Sequence, residues 1–176
     1  MVRRTLLISL LLSAMVACSK PNTPPAKENV EQALKQNGMG DINVDEDRDK
    51  GVITLKGDVK SDDQKQQAGR VAQQAAPGKV VANELAVRPE GMESTARKVG
   101  SNTDDAIEDH FKAAIAANHW ENQHIRSDAK NGVLTLDGDV DTSAQRAAVE
   151  RAAAKIPGVQ QVVNKLEVKG KKKRSD

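Results

Sequence analysis

The stretch Gly51-Val-Ile-Thr-Leu-Lys-Gly-Asp-Val59 recurs 81 residues further along the chain as Gly132-Val-Leu-Thr-Leu-Asp-Gly-Asp-Val140. Both copies predict the strongest strand of their half, over 52–59 and 133–140, and alternating apolar residues before them indicate a strand with one buried face. Asn131 precedes the second copy, and Asn-Gly is the pair that two-residue hairpin turns prefer. Apolar residues before each turn, among them Ile42 and Ile125, indicate the partner strand. The repeat therefore predicts one β-hairpin in each half of the chain.

The repeat extends to a helix and a further strand after each hairpin. Ser61-Asp-Asp-Gln64 and Thr142-Ser-Ala-Gln145 match a capping box, in which the hydroxyl and the glutamine satisfy the first free amides of a helix. A Pro-Gly pair ends this helix in each copy. Closing strands are predicted over about 80–87 and 160–168. Each copy thus continues from hairpin to helix to strand.

A first helix precedes each hairpin, and apolar residues at helical spacing predict it over 26–37 and 104–117. We therefore predict an α+β fold of two tandem αββαβ modules, each a three-stranded mixed sheet packed against two helices. The modules span 26–88 and 104–169, and a polar linker, 89–103, joins them. Modules of about 60 residues without a disulfide are marginally stable alone. We therefore expect the two modules to pack on each other.

Gly57 and Gly138 lie inside the strongest predicted strand of each module. Glycine in a strand interior costs about 0.5–1 kcal/mol, and it marks a bulge or the close approach of another backbone. We interpret both glycines as structural, with the first helix of each module as the candidate neighbour.

The first residues resemble the signal peptide of an exported lipoprotein. Two arginines and a short apolar run precede Cys18, the one cysteine of the chain. Its setting resembles a lipobox, in which the cysteine carries a diacylglycerol and an N-acyl chain. We predict a signal peptide over 1–17 and an extended tether over 18–25. The alternative is a plain secretory signal with a stray cysteine.

The residue after Cys18 bears on the destination of the protein. It is Ser19, whereas an Asp there resembles an inner-membrane retention signal. The resemblance therefore implies a lipid anchor in the outer membrane, on its periplasmic face. Two or more acyl chains hold a protein stably on a membrane. Apart from these covalent chains on Cys18, the sequence predicts no cofactor.

Several residues recur at matching places in the two copies. The second copy carries Gly138, Val140, Arg151, Pro157-Gly158-Val159, Val163-Asn164 and Leu166. The first copy carries Gly57, Val59, Arg70, Pro77-Gly78, Asn83 and Leu85, with Lys79 where Val is usual. This pattern resembles the BON domain, a family named for osmotically inducible periplasmic proteins and nodulation-related proteins. The resemblance implies an αββαβ fold, no enzymatic activity, and an association with phospholipid surfaces and envelope integrity under stress.

Signal, lipobox and two modules together resemble the dual-BON outer-membrane lipoproteins, whose second domain contacts anionic phospholipid near its first helix. Phe111 and Trp120, the two aromatic residues of the chain, lie in that region and are the candidate lipid contacts. The alternative is that Phe111 belongs to the core and Trp120 caps it. Ala106 stands where the lipid-contacting relatives place an aromatic residue.

The predicted first helix of the second module also begins with acidic residues. Such residues suit a helix N-terminus, although they would repel an anionic headgroup. They are Asp104, Asp105, Glu108 and Asp109.

A basic tail, 170–176, ends the chain. Its candidate contacts with anionic lipid, worth about 1 kcal/mol per charge near a surface, are Lys171, Lys172, Lys173 and Arg174. The alternative is a tail that is simply solvated.

Metal binding, nucleic-acid binding and catalysis have little support in the sequence. His110, His119 and His124 cluster, but their spacing is not that of a known metal site. A nucleic-acid binder usually has a basic body with stacking aromatics, and this chain has 27 basic and 25 acidic residues with a single Trp and a single Phe. No catalytic motif or phosphate-binding loop is present. We predict no metal, no nucleic-acid partner and no enzymatic activity.

These observations favour an outer-membrane lipoprotein that faces the periplasm and binds phospholipid or a membrane-associated partner through its second module. The expected role is envelope integrity or osmotic-stress tolerance. The alternative is a scaffold whose modules bind envelope proteins or cell-wall components, with the lipid serving only as an anchor.

Overall fold

The computed structural model describes residues 26–169. The predicted signal peptide 1–17, Cys18 with the tether 18–25, and the basic tail 170–176 lie outside the described residues. The four tail candidates, Lys171, Lys172, Lys173 and Arg174, lie outside them as well.

The first module follows the predicted order of elements. Its helices and strands are α1 (Ala26–Gln36), β1 (Asn43–Asp47), β2 (Val52–Lys56), β3 (Asp58–Val59), α2 (Asp62–Ala75), β4 (Val80–Asn83) and β5 (Ala86–Val87).

The second module repeats this order. Its elements are α3 (Glu93–Ala117), β6 (His124–Lys130), β7 (Val133–Val140), α4 (Ser143–Ala153), β8 (Gln161–Asn164) and β9 (Glu167–Val168).

The sheets are mixed, as the repeat predicts. In the first module β2 is the central strand, antiparallel to β1 and parallel to β4. In the second module β7 is antiparallel to β6 and parallel to β8. Each closing strand is interrupted and then resumes, so that β5 pairs with β3 and β9 pairs with the end of β7. The predicted α+β class with two αββαβ modules is confirmed.

Each module has its own hydrophobic core between its helices and one face of its sheet. In the first module Leu34 of α1 and Ala68 of α2 pack with Leu55 of the sheet. In the second module Ile107 of α3 and Val149 of α4 pack with Leu136. These positions follow the helical and alternating spacings of the sequence, because those spacings place one face of each element inward.

The linker is mostly helical, which differs from the prediction. Helix α3 begins at Glu93 rather than at 104, so most of the segment 89–103 belongs to it. Its first residues are largely exposed, and the polar composition that excludes a strand is compatible with an exposed helix. Gly100 is accommodated within this helix, where a β-carbon would meet only Asn131 Oδ1, at 3.7 Å.

The turns and caps follow the sequence signals, with one difference between the modules. Asn131 and Gly132 both have positive φ, 48° and 82°, as a two-residue hairpin turn requires. Thr142 and Gln145 form the complete capping box of α4. In α2 the Ser61 hydroxyl accepts from Gln64 N, but the Gln64 side chain accepts from Lys60 N, so only half of the box is formed.

The two strand glycines have different surroundings. At Gly138, φ is +119° and a β-carbon would lie 1.7 Å from the carbonyl oxygen of His124. The neighbour is therefore the adjacent strand β6 and not the first helix, which corrects that part of the prediction. At Gly57, φ is +132° but the nearest atom, Asp41 O, would be 3.8 Å away. Gly57 instead separates β2 from β3, as a bulge does.

Candidate functional site

Phe111, one of the two candidate lipid contacts, belongs to the core of the second module. It is 2% exposed and lies in the same cluster as Ile107 and Leu136. A side chain at this depth supports the fold and does not reach the surface of the module.

Trp120, the other candidate, lies at the rim of the same core. Helix α3 ends at Ala117, and His119, at φ 55°, reverses the chain. Trp120 N then donates to Ile115 O at 3.0 Å. The ring packs beside the core while remaining partly exposed. An indole half in an apolar core and half in contact with solvent is the arrangement that suits a boundary between apolar and polar phases.

A chain of hydrogen bonds joins Trp120 to the last described residue. Gln123 N donates to Trp120 O at 2.9 Å, and the Gln123 side chain donates to Asp141 Oδ2 at 2.9 Å. Lys169 Nζ lies 3.5 Å from the other oxygen of Asp141. The Gln123 hydrogen bond, with help from Lys169, lowers the pKa of Asp141, so this carboxylate stays charged. We call Trp120, Gln123, Asp141 and Lys169 the Trp120 end.

A surface depression of about 440 Å³ lies beside the Trp120 end. Its lining mixes charged and apolar groups: Gln123, His124, Ile125, Arg126, Gly138, Asp139 and Lys169. Arg126 is held by Asp137 at 2.7 Å, on the outer face of the hairpin. Hydrogen bonds therefore link the backbone of Trp120 to Lys169, the residue that precedes the basic tail in the sequence.

The histidines do not form a metal site within residues 26–169. His110 lies on α3, His119 in the turn after it and His124 in β6. No group of three His, Cys, Asp or Glu residues in this part of the chain could hold a metal ion. In the same part of the chain, no helix has the length and apolar character needed to cross a membrane.

The acidic residues of α3 have a structural role that the sequence did not reveal. Since α3 begins at Glu93, Asp104 and Glu108 lie mid-helix, and N-terminal capping does not explain them. Asp104 accepts from Asn131 N at 2.8 Å and from Gly132 N at 3.0 Å, while Glu108 accepts from Ala129 N at 3.1 Å. These carboxylates therefore fix the β6–β7 hairpin to the helix.

The two modules are in contact, as their small size predicts. Val52 and Ala82 of the first module form one buried cluster with Val133 and Val163 of the second. We call these four residues the joint. The paired apolar residues Val52-Ile53 and Val133-Leu134 are a signal of it, because consecutive apolar residues in a strand indicate that both faces of the sheet are covered.

Polar groups complete the joint, and sequence reasoning missed them. The Gln161 side chain donates to Val81 O at 2.6 Å and accepts from Asn83 N at 3.2 Å, so it satisfies the free edge of β4. Asn131 Nδ2 donates to Glu84 O at 2.8 Å, and Lys65 Nζ donates to Asn131 O at 2.9 Å. Nothing in the sequence pattern distinguishes these side chains from ordinary surface residues.

Two ion pairs also cross between the modules. Lys165 Nζ lies 3.0 Å from Asp47 Oδ2, and Lys50 pairs with Glu167. Both are at least partly exposed, so each adds about 0–1 kcal/mol at most. The pairs orient the modules more than they hold them together.

The fold and its surfaces define a class of protein: a tandem repeat of small α+β modules in contact, with an amphipathic end on the second. A family model of the BON domain matches residues 22–89 and 103–170. The chain belongs to the BON domain family, and the family assignment made from the repeated motifs is confirmed.

Similar proteins are found by sequence and by structure. Osmotically-inducible protein Y of Escherichia coli (strain K12) is 32% identical over 122 residues, which cover 69% of this chain and 59% of that protein. The match thus spans less than two thirds of that relative's length. Two structures of CdsD, a structural protein of the type III secretion system of Chlamydia trachomatis, are 11% and 12% identical, with TM-scores of 0.34 and 0.30. They cover 80% and 79% of this chain and 96% and 90% of their own.

Proposed function

We propose that the protein is a non-enzymatic lipoprotein of the outer membrane, held on the periplasmic face by acyl chains on Cys18. Its second module contacts phospholipid, or a partner at the phospholipid surface, through the Trp120 end. The protein supports envelope integrity under osmotic stress.

The placement of Trp120 carries the proposal. Its ring is partly exposed at the rim of the core, and the Gln123–Asp141–Lys169 hydrogen bonds link its backbone to the residue before the basic tail. An interfacial ring and nearby cations are complementary to the two parts of an anionic lipid surface. The carboxylates of Asp104 and Glu108 bind backbone amides of the hairpin, whereas Asp105 and Asp109 of the same helix are exposed and would repel an anionic headgroup.

The relatives support the physiological part of the proposal. The similarity to Osmotically-inducible protein Y, a protein whose name records induction by osmotic change, favours a role in the same stress. The anchor favours a weak lipid site, because tethering raises the local concentration of lipid around it.

Vesicle flotation tests the lipid contact. Residues 18–176 with Cys18→Ala, which lack the predicted signal peptide and the anchor, are mixed with vesicles of phosphatidylcholine alone or with phosphatidylglycerol added. We expect flotation with the anionic vesicles and a blue shift of the Trp120 fluorescence, since its ring leaves water. Trp120→Ala and deletion of 170–176 should each reduce the floated fraction.

Met92→Ala is the matched control, because Met92 is an apolar side chain 57% exposed in a different part of the surface. It should float like the parent. Failure of the Cys18→Ala chain to float on any anionic vesicle would remove the lipid contact and leave the alternative, a protein or cell-wall scaffold for which the lipid is an anchor only.

A further inference from the structure

A charged cleft of about 310 Å³ lies between the modules, beside the joint. Glu84, which follows β4, lines it and is half-buried. Its backbone carbonyl accepts from Asn131, but within residues 26–169 its carboxylate has no hydrogen bond or ion pair. A half-buried carboxylate without a partner is a cost to the structure that contains it.

The repeat shows what this position does in the other module. Asn83-Glu84-Leu85 matches Asn164-Lys165-Leu166, so Glu84 is the counterpart of Lys165. The partner of Lys165 is Asp47, which lies opposite Val52, and Lys130 lies opposite Val133, the counterpart of Val52. A pair between Glu84 and Lys130 would therefore be the equivalent of the Lys165–Asp47 pair, with the acidic and basic residues exchanged.

The charge-reversed pair is not formed. Lys165 and Asp47 are 3.0 Å apart, whereas Lys130 lies 3.7 Å from Asp128, on its own strand. Asp128 also faces the cleft, and its negative charge acts on Glu84 in the unfavourable sense. One side of the module contact is therefore closed by an ion pair, and the other holds an unpaired carboxylate.

The remaining charges around Glu84 are mixed. They belong to every element that borders the cleft: Lys56 of β2, Asp58 of β3, Arg88 after β5, Asp128 and Lys130 of β6, and Lys165 between β8 and β9. Arg88 is engaged by Asp58 at 2.5 Å and Lys56 by Asp45 at 2.8 Å. The nearby cations are thus paired with other carboxylates, and although Lys56, Lys130 and Lys165 favour the ionised form of Glu84, burial has the larger effect and raises its pKa.

We propose that the contact between the modules is acid-sensitive, and that Glu84 is the group that makes it so. When it is ionised, the Glu84 carboxylate opposes closure of the charged cleft beside the joint. Protonated, it becomes a neutral group that can stay half-buried and donate a hydrogen bond, and the modules close on each other.

The direction of the pH dependence follows from the carboxyl groups of Glu84 and Asp47, which lie on opposite sides of the contact between the modules. Burial raises the pKa of Glu84 above its ordinary value of 4.5, so closure gains free energy as the pH falls through that raised value. The backbone amide of Lys50, followed by Lys165, lowers the pKa of Asp47 below 3.8, so its ion pair is lost only in stronger acid. The contact should be tightest between the two values, in mild acid, and looser at neutral pH.

Single-molecule energy transfer tests this proposal on the full chain with Cys18→Ala. Dyes are attached through Gln67→Cys on α2 and Lys155→Cys just after α4, both exposed. Between pH 7 and pH 5 the ratio of open to closed molecules should fall, by about tenfold at most for each unit by which closure raises the Glu84 pKa. Glu84→Gln, which resembles the protonated form, should be closed at both pH values.

Glu121→Gln is the matched control, since Glu121 is an exposed carboxyl of the second module, and it should respond to pH as the parent does. Glu84→Ala removes the same charge with a different side chain and should also abolish the response. A pH response that persists in both Glu84 variants, or a parent without any response, would overturn the proposal.

Discussion

At Gly138 the carbonyl oxygen of His124 occupies the place where any other residue would carry its β-carbon, 1.7 Å from the ideal position. Gly57, its counterpart, has a similar backbone with φ +132°, but a β-carbon there would make only ordinary van der Waals contacts, the nearest at 3.8 Å. The same residue therefore stands at this place in both copies of the repeat for partly different reasons. Backbone conformation requires glycine in both, and close strand contact adds a second requirement in the second module.

Alanine at the two positions should separate these requirements. Gly57→Ala introduces backbone strain alone, which costs about 1–3 kcal/mol. Gly138→Ala adds a clash with a backbone carbonyl that cannot move without opening β6, so we expect a loss above about 3 kcal/mol. Urea unfolding followed by circular dichroism measures both. Equal losses for the two variants would show that the close contact at Gly138 has no energetic effect.

Helix α3 is the element whose extent and role depart most from the sequence pattern. It carries the linker in its first half and the core residues Ile107 and Phe111 in its second half. In between, Asp104 and Glu108 lie one turn apart and bind backbone amides of the β6–β7 hairpin. The helix thereby satisfies one amide of the edge strand β6, Ala129 N, and two amides of the turn that follows it.

Removal of the Asp104 carboxylate tests this role. Asp104→Ala leaves Asn131 N and Gly132 N without their acceptor, which should cost about 1–3 kcal/mol of the stability of the second module. Asp105→Ala changes an exposed neighbour on the same helix and should stay within about 0.5 kcal/mol. Thermal melting compares the two. If the variants melt together, the carboxylate of Asp104 contributes only as a surface charge.

At the scale of the whole molecule, the two modules share a small apolar contact reinforced by side chains that bind backbone. Four aliphatic side chains form the joint, and Gln161 supplies both a donor and an acceptor to the free edge of β4. A contact of this size couples the modules without making them one core. Relative motion of the modules is the ordinary expectation for such an interface.

Gln161→Ala should reduce this coupling. Val81 O and Asn83 N would lose their partner at a part-buried position, which costs about 1–3 kcal/mol. We expect calorimetry to show a single transition in the parent and a broader or divided transition in the variant. Gln160→Ala, at the exposed neighbouring position, should leave the transition unchanged. An undivided transition at the parental temperature in Gln161→Ala would mean that the apolar joint alone couples the modules.

Local sequence determined the repeat, the order of the elements, the two cores and the family. Those features depend on turn glycines, caps such as Thr142 and the apolar runs that begin at Val52 and Val133, all of which act between residues close in the chain. The same local rules predicted that Gly138 is structural, without identifying the strand that approaches it.

Tertiary structure alone decided the features that join distant segments. The backbone donors to Asp104 and Glu108, the Gln161 bridge and the unpaired Glu84 each depend on residues far away in the sequence. A polar side chain on a surface and one at a contact between modules have the same local pattern. They differ only in which residues face them, and the packing of the two modules determines those residues.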